Sequence, residues 1–376
     1  MRILVVGAGV GGLALARGLV AAGHQVRVFE RAAKPRTSGG ALTLWSNGAG
    51  IVGELGVALD GEGAPIDGLV QRTADGRRLL RVDTVPAVRR YGRQHVCLPR
   101  RRLIRMLADG LPDGTVAFGR HCTGVAQDGD GVRVEFADGG GESGEVLVGA
   151  DGHHSVVRRA LRGRDPAEPS GWATWQGLSR IPLGTALGRE GMLIVGGEGM
   201  CGLMPAGEGL VQWWFDRRWV SGDPLPPSPA DDLRRRFGRW APPVPEVLAA
   251  IDDGDVEFFP HHRHRVPRVW GEGRCTLVGD AAHAMPPAQA QGANQALEDA
   301  WALTLVLREA SDIPSALRRY ERERAKYAAR ASLAASTEFV NYRHPVLHRL
   351  FPDHLTGPAY SWWLRYVSGY LSALPR

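Results

Sequence analysis

The chain has 376 residues, 44% hydrophobic and 23% charged, which suits two moderate globular domains and excludes a single small module. Its formal net charge of +6 comes almost wholly from arginine, with Lys34 and Lys326 as the two lysines. Such a mild basic excess favours acidic cofactors or substrates, and neither zinc-finger spacing nor a basic helix with heptads signals a nucleic-acid partner. Cys97, Cys122, Cys201 and Cys275 lie far apart with no CxxC pair. That pattern predicts free thiols in a reducing cytoplasm.

The chain opens with MRILVVGAGVGGLALARGLVAAG, which superficially has the look of a signal peptide. Glycines spread through the run and Arg17 interrupts it, and a nucleotide-binding unit explains more of it. Ile3 to Val6 predicts a buried parallel strand, 10–20 a helix, and Gln25 to Glu30 a second strand. Between them Gly7, Gly9 and Gly12 stand in G-x-G-x-x-G spacing, with Gly11 inside the motif. These glycines permit a tight turn, close approach to a pyrophosphate, and packing of helix on strand. The helix N-terminus then receives the pyrophosphate. Glu30, eighteen positions after Gly12, can accept hydrogen bonds from a ribose, with Arg31 beside it. At this point FAD and NAD are equally open.

Residues 69–97 carry hairpin signals such as Ala74-Asp75-Gly76, and Val132 to Phe136 alternates before a glycine-rich turn. Residues 145–150 and 275–278 predict two more strands, each ending in a Gly/Asp turn before a helix. One sheet assembled from distant parts of the chain is expected. Residues 171–259 predict a mixed sheet holding Trp172, Trp175, Trp213, Trp214 and Trp219, with short helices over 231–240 and 244–251. These tryptophans either line an aromatic pocket or fill a core. His261, His262 and His264 lack acid or cysteine ligands at useful spacing, so a loop near the rim of the site is expected there, and no metal. Helices are predicted after Glu298, over 315–339 and over 361–374. No segment has about 18 unbroken apolar residues, so no stable membrane insertion is expected.

Two further motifs carry the chemistry: GADGHHSVVR, from Gly149 to Arg158, and GDAAHAMPPAQAQGANQALEDAWAL, from Gly279 to Leu303. Together with the opening glycines, the chain resembles the single-component FAD-dependent monooxygenases of the para-hydroxybenzoate hydroxylase type, over roughly residues 1 to 330. The resemblance implies an α/β Rossmann-like FAD-binding domain, discontinuous over 1–72, 96–165 and 268–330. A mixed β-sheet substrate domain over 73–95 and 166–267 and a helical segment over 331–376 complete the expected layout. FAD is the implied cofactor, with NADPH or NADH as transient reductant and dioxygen as co-substrate. Oxygen is then carried on a C4a-hydroperoxide of the flavin to a small aromatic substrate, for hydroxylation or epoxidation. The flavin carries the bond chemistry, so no catalytic side chain is assigned.

Among the motif residues, Asp280 is expected at a ribityl hydroxyl and Pro287 near the flavin ring. Gly279 belongs to the same turn, and Gly292, Ala293 and Asn294 open a helix whose free N–H groups favour negative charge on the ring. Asp151 is implied at both FAD and nicotinamide cofactor, with Arg158 in the same motif. Arg100 is implied at the flavin side, while Arg101 and Arg102 are expected in solvent. Asp151 and Asp280 are also plausible helix caps. One departure stands out: Ala290 occupies a position where the family has glycine, and a positive φ there would be strained. A flavin dehydrogenase or oxidase, and a non-catalytic flavin-binding protein, are the alternative readings. A monomer or homodimer is expected.

Overall fold

The computed structural model describes residues 1–35, 39–129, 131–163, 167–183, 187–342 and 352–375. Its first layer is a five-stranded parallel sheet in the order Cys275–Leu277, Val146–Gly149, Arg2–Val6, Gln25–Glu30, Val116–Phe118. The three predicted strands from distant parts of the chain are therefore direct neighbours. Their residues are buried on both faces, as the unbroken apolar runs require. The helices Val10–Ala21 and Gly292–Arg308 pack together beside this sheet, and Arg100–Ala108 joins the first of them. A small antiparallel sheet, Cys122–Asp128, Gly131–Phe136 and Gly141–Gly144, adds Val132, Val134 and Phe136 to the same core. There the rings of Phe29 and Phe136 meet edge to face at 4.9 Å.

A seven-stranded sheet forms the second layer, in the order Glu257–Arg263, Glu168–Arg180, Leu210–Arg218, Met200–Pro205, Glu190–Val195, Gly68–Thr73, Arg78–Asp83. Side chains alternate across it. Trp175, Trp213, Phe215, Ile194 and Leu203 enter a second core with the helices Pro229–Phe237 and Val244–Ala249. Thr174, Gln212, Trp214, Asp216, Met200 and Leu193 face the other way, into a cavity. The sheet takes up Gly68–Thr73, so its start precedes the expected residue 73. Residues 85–91, within the stretch read for hairpin signals, form a helix after Thr84. The expected boundary at 165/166 lies outside the described residues.

The long helix Ile313–Ser336 agrees with its periodicity and runs past residue 330. The tail is a helix, Asp353–Tyr366, then a break and a short turn, Gly369–Ala373, started by the Ser368 cap. No described helix is long and apolar enough to cross a membrane.

Candidate active site

A cavity of about 1670 Å³ runs from the carboxyl ends of the parallel strands onto the face of the seven-stranded sheet. A site for one small ligand measures roughly 300–1,000 Å³, so there is room for a dinucleotide and a substrate together. The carboxyl edge is where open α/β sheets bind ligands, because each strand there hands over to a turn and a helix N-terminus.

The glycines divide the work at the nucleotide end. Gly7 has φ +107°, and a Cβ on Gly12 would lie 2.0 Å from the Gly7 carbonyl oxygen. Helix and strand therefore touch there, and no larger residue fits. A Cβ on Gly9, by contrast, would meet no protein atom within 4 Å, since it would project into the cavity. Helix Val10–Ala21 has no side-chain cap and no acid in its first turn, which leaves its first N–H groups for an anion. The Glu30 carboxylate accepts from the Ala8 and Ala32 N–H groups, each at 2.9 Å, and so fixes the loop around it. Arg31, Lys34, Arg100, Arg101 and Arg120 also line this end. Arg101 is exposed at the rim, as expected, but Arg102 is not in free solvent: it pairs with Glu208 at 2.6 Å and with Glu62.

At the other end, Gly279 and Asp280 follow the strand Cys275–Leu277 after the single residue Val278. Asp280 is an exposed residue that lines the cavity, and the protein packed around it pushes its carboxyl up while His283, Arg100 and Arg158 pull it down. A buried ionic network supports this turn. Asp299 accepts from Gly279 N at 2.8 Å, from Arg324 Nε at 2.7 Å, and contacts His283 Nε2 at 2.6 Å. Arg324 also donates to Glu298 at 2.8 Å. Burial raises the Asp299 carboxyl, but His283 and Arg324 outweigh it and hold it below its ordinary range. His283 is thus a structural group.

Ala290 has φ 48° and ψ 32°, the left-handed conformation that favours glycine. The side chain of Asn294 holds the loop in this shape, donating to the carbonyls of Ala290 at 2.8 Å and Thr43 at 2.9 Å. A non-glycine residue in this region costs about 1–2 kcal/mol. Ala290→Gly is expected to raise holoprotein stability by about 1 kcal/mol, measured by denaturant unfolding; a loss of stability would show that the loop conformation is unstrained.

All but three of the predicted site residues line the cavity: Gly7, Gly9, Gly11, Glu30, Arg31, Arg100, Asp151, Gly279, Asp280, Pro287, Gly292 and Ala293. Gly12, Arg158 and Asn294 stand behind its wall. Arg158 is 3% exposed and donates to the carbonyls of Ala281 at 2.8 Å and Asp280 at 3.3 Å, so it pins one motif to the other. Asp151 reaches the cavity but caps helix Val156–Arg162, accepting from Val156 N at 2.7 Å, Val157 N at 3.2 Å and the Ser155 hydroxyl. Burial nevertheless pushes its carboxyl up.

Of the five tryptophans of the middle region, only Trp214 reaches the cavity; Trp175 and Trp213 are core. Trp45, Tyr360 and Trp363 supply further aromatic wall from other segments. Tyr360 meets Trp45 edge to face at 5.7 Å and stacks on Trp363 at 5.8 Å. Nothing in the local sequence of the tail marks these rings as cavity residues. His261 and His262 lie on the strand Glu257–Arg263 and not on a loop, His264 follows just past it, and His261 is wholly inaccessible.

An uncapped helix facing open space at Gly9, a cationic rim, and a second helix, Gly292–Arg308, that starts at the cavity without a side-chain cap fit a flavin dinucleotide. Fold and site thus define a flavoprotein of the dinucleotide-binding α/β class. The chain belongs to the FAD binding domain family, whose profile matches residues 1–335. It is 33% identical over 335 residues to an FAD-dependent urate hydroxylase of Klebsiella pneumoniae, covering 86% of each chain. It is 30% identical over 359 residues to 6-hydroxynicotinate 3-monooxygenase of Bordetella bronchiseptica, covering 88% of this chain and 89% of the relative. Among solved structures it is similar to Klebsiella pneumoniae HpxO complexed with FAD and uric acid, with TM-score 0.84 and 30% identity over 98% of this chain and 94% of that one. The expected FAD-binding α/β fold with a mixed second sheet and helical C-terminus therefore holds. The first of these relatives is an FAD-dependent hydroxylase of urate and the second a monooxygenase of 6-hydroxynicotinate.

Proposed function

We propose that the protein is an FAD-dependent monooxygenase that uses NADPH or NADH and dioxygen to hydroxylate or epoxidise a small aromatic substrate. The observation that carries this reading is one continuous cavity. It joins a cationic, helix-capped dinucleotide end to a sheet face bearing aromatic, amide and carboxylate side chains. The similarity to monooxygenases of urate and hydroxynicotinate supports it. We assign the dinucleotide to the layer built on the parallel sheet, and the substrate to the seven-stranded sheet and the C-terminal helices.

When bound, FAD supplies the redox and oxygen-activating chemistry. The chain's own residues bind, orient and dry the site. The free N–H groups of helix Val10–Ala21 and the arginines of the rim would hold the pyrophosphate. Asp280 would orient the linker between nucleotide and ring. The N-terminus of helix Gly292–Arg308 would hold the ring and stabilise negative charge on it. Trp45, Trp214, Tyr360 and Trp363 exclude water from the substrate end.

The test is turnover of the FAD-loaded protein with NADH or NADPH under ¹⁸O₂, with uric acid, salicylate and 6-hydroxynicotinate as trial rings. One labelled oxygen in an organic product is expected. Reduced cofactor consumed with every ring, and all the oxygen released as hydrogen peroxide, would favour the oxidase reading.

A further inference from the structure

His261 belongs to a buried chain of polar groups that the cofactor site does not use. Its Nδ1–H donates to Glu338 Oε1 at 2.8 Å, and its Nε2 lies 2.7 Å from the Thr174 hydroxyl and 3.9 Å from Asp216 Oδ1. Thr174 in turn is hydrogen-bonded to Asp216. All four side chains are almost inaccessible, yet Thr174 and Asp216 form part of the cavity wall on the sheet face. At the far end Ser170, half-buried, donates to Glu338 at 3.2 Å. Glu338 has φ 48° in a buried position, so the chain holds a glutamate in an unfavourable backbone conformation just where it meets His261. It also lies beyond residue 335, where the family profile ends.

Counting hydrogens shows what the chain can do. The contacts Asp216–Thr174 and Thr174–His261 each need one hydrogen between their heavy atoms, and a threonine hydroxyl supplies only one. The second sits either on Asp216 or on His261 Nε2. A concerted shift, in which the Asp216 proton passes to the Thr174 oxygen while the Thr174 proton passes to His261 Nε2, interconverts the two arrangements with every contact kept. Burial pushes the Asp216 carboxyl up to about 6 while His261 pulls it down, which places it where it can both take and give a proton. Asp216 also acts on the Cys201 thiol, which burial pushes up and keeps uncharged, and the Asn341 amide hydrogen-bonds to Asp216 and donates to Glu338 at 3.1 Å. Arg217 turns to the opposite face over Trp175, and Arg218 lies over Trp172.

We infer that Asp216, Thr174, His261 and Glu338 form a proton relay that accepts a proton from an ionisable O–H or N–H group of the aromatic substrate and leads it toward the surface at Ser170. In that step the substrate's O–H or N–H bond breaks, its electron pair stays on the ring system, and a new O–H bond forms on Asp216. The ring gains electron density, which suits it to attack by an electrophilic oxygen. The inference rests on the monooxygenase reading for its substrate, and it specifies the class: a ring with an acidic proton directed at the sheet face.

The test uses the FAD-loaded full chain with two probes of similar size, 4-nitrophenol and its methyl ether 4-nitroanisole. Only the first has a proton to give, and its phenolate has its own visible band. Bound to the wild type, 4-nitrophenol is expected to ionise at a pH at least about one unit below that of the free probe, a tenfold change in proton affinity. Thr174→Ser is expected to keep that shift. Thr174→Val and Asp216→Asn are expected to abolish it, with FAD content and 4-nitroanisole binding retained. Un-ionised binding by the wild type, survival of the shift in Asp216→Asn, or no binding of 4-nitrophenol at all would overturn the relay. The readout needs no turnover, so a failure of oxygen transfer with the shift intact would count against the proposed function alone.

Discussion

Arg324→Ala is expected to cost about 3–5 kcal/mol of stability, because it leaves two buried carboxylates without their counter-charge. Arg324 is 2% exposed, and Glu298 and Asp299 are fully buried. Besides pairing with both, Arg324 donates to Gln295 Oε1 at 2.7 Å, so one guanidinium ties helix Ile313–Ser336 to helix Gly292–Arg308. Glu298 also accepts from Asn47 and from Gly369 N, each at 2.8 Å, which anchors the C-terminal turn to the same point. Denaturant unfolding measures the loss; a change below about 1 kcal/mol would mean that the site relaxes or that water reaches it. The pH dependence has a definite sign. Asp299 is held below its ordinary pKa, so its contribution is full above that ordinary value and disappears as pH falls through the lower, folded-state value. Without Arg324 its folded pKa rises, and acid unfolding is expected to begin at a higher pH than in the wild type.

Gly9→Val is expected to abolish FAD retention while leaving the protein folded. The added Cβ meets no protein atom, so packing has no reason to fail, but it fills the space before the uncapped helix where the pyrophosphate belongs. Losing one or two hydrogen bonds to a charged group costs about 2–3 kcal/mol each, so FAD affinity is expected to fall on the order of a hundredfold or more. Gly12→Val provides the contrast. Its Cβ would sit 2.0 Å from the Gly7 carbonyl oxygen, so that variant is expected to misfold instead. Flavin absorbance and far-ultraviolet circular dichroism on both variants separate the two outcomes. A Gly9→Val protein that purifies yellow with one flavin per chain would contradict the assigned role of Gly9.

What the sequence made legible was local or periodic. The strands at 3–6, 146–149 and 275–277 were visible as apolar runs ending in glycine, and the strain at Ala290 followed from one departure in a long motif. Arg158 and Asp151 illustrate a different limit. A motif marks both residues and the cap at Asp151 was among the readings the sequence offered, but only the fold shows that Arg158 braces the Asp280 turn from behind. The Asp216–Thr174–His261–Glu338 chain was not legible, since its members come from four distant segments and meet only through sheet pairing and a helix end. The tail reads as a terminal helix packing on the body; no periodicity says that Tyr360 and Trp363 face a cavity and Trp362, 62% exposed, does not.

Oxygen transfer on a bound flavin is the reaction proposed for this chain. Its most direct test is to reduce the FAD-loaded protein without oxygen, mix it with dioxygen in a stopped-flow instrument, and follow the absorbance. A distinct transient that forms before the oxidised flavin spectrum returns is the predicted result. A single-step return to the oxidised spectrum, with or without trial ligands, would contradict the account and favour an oxidase or dehydrogenase.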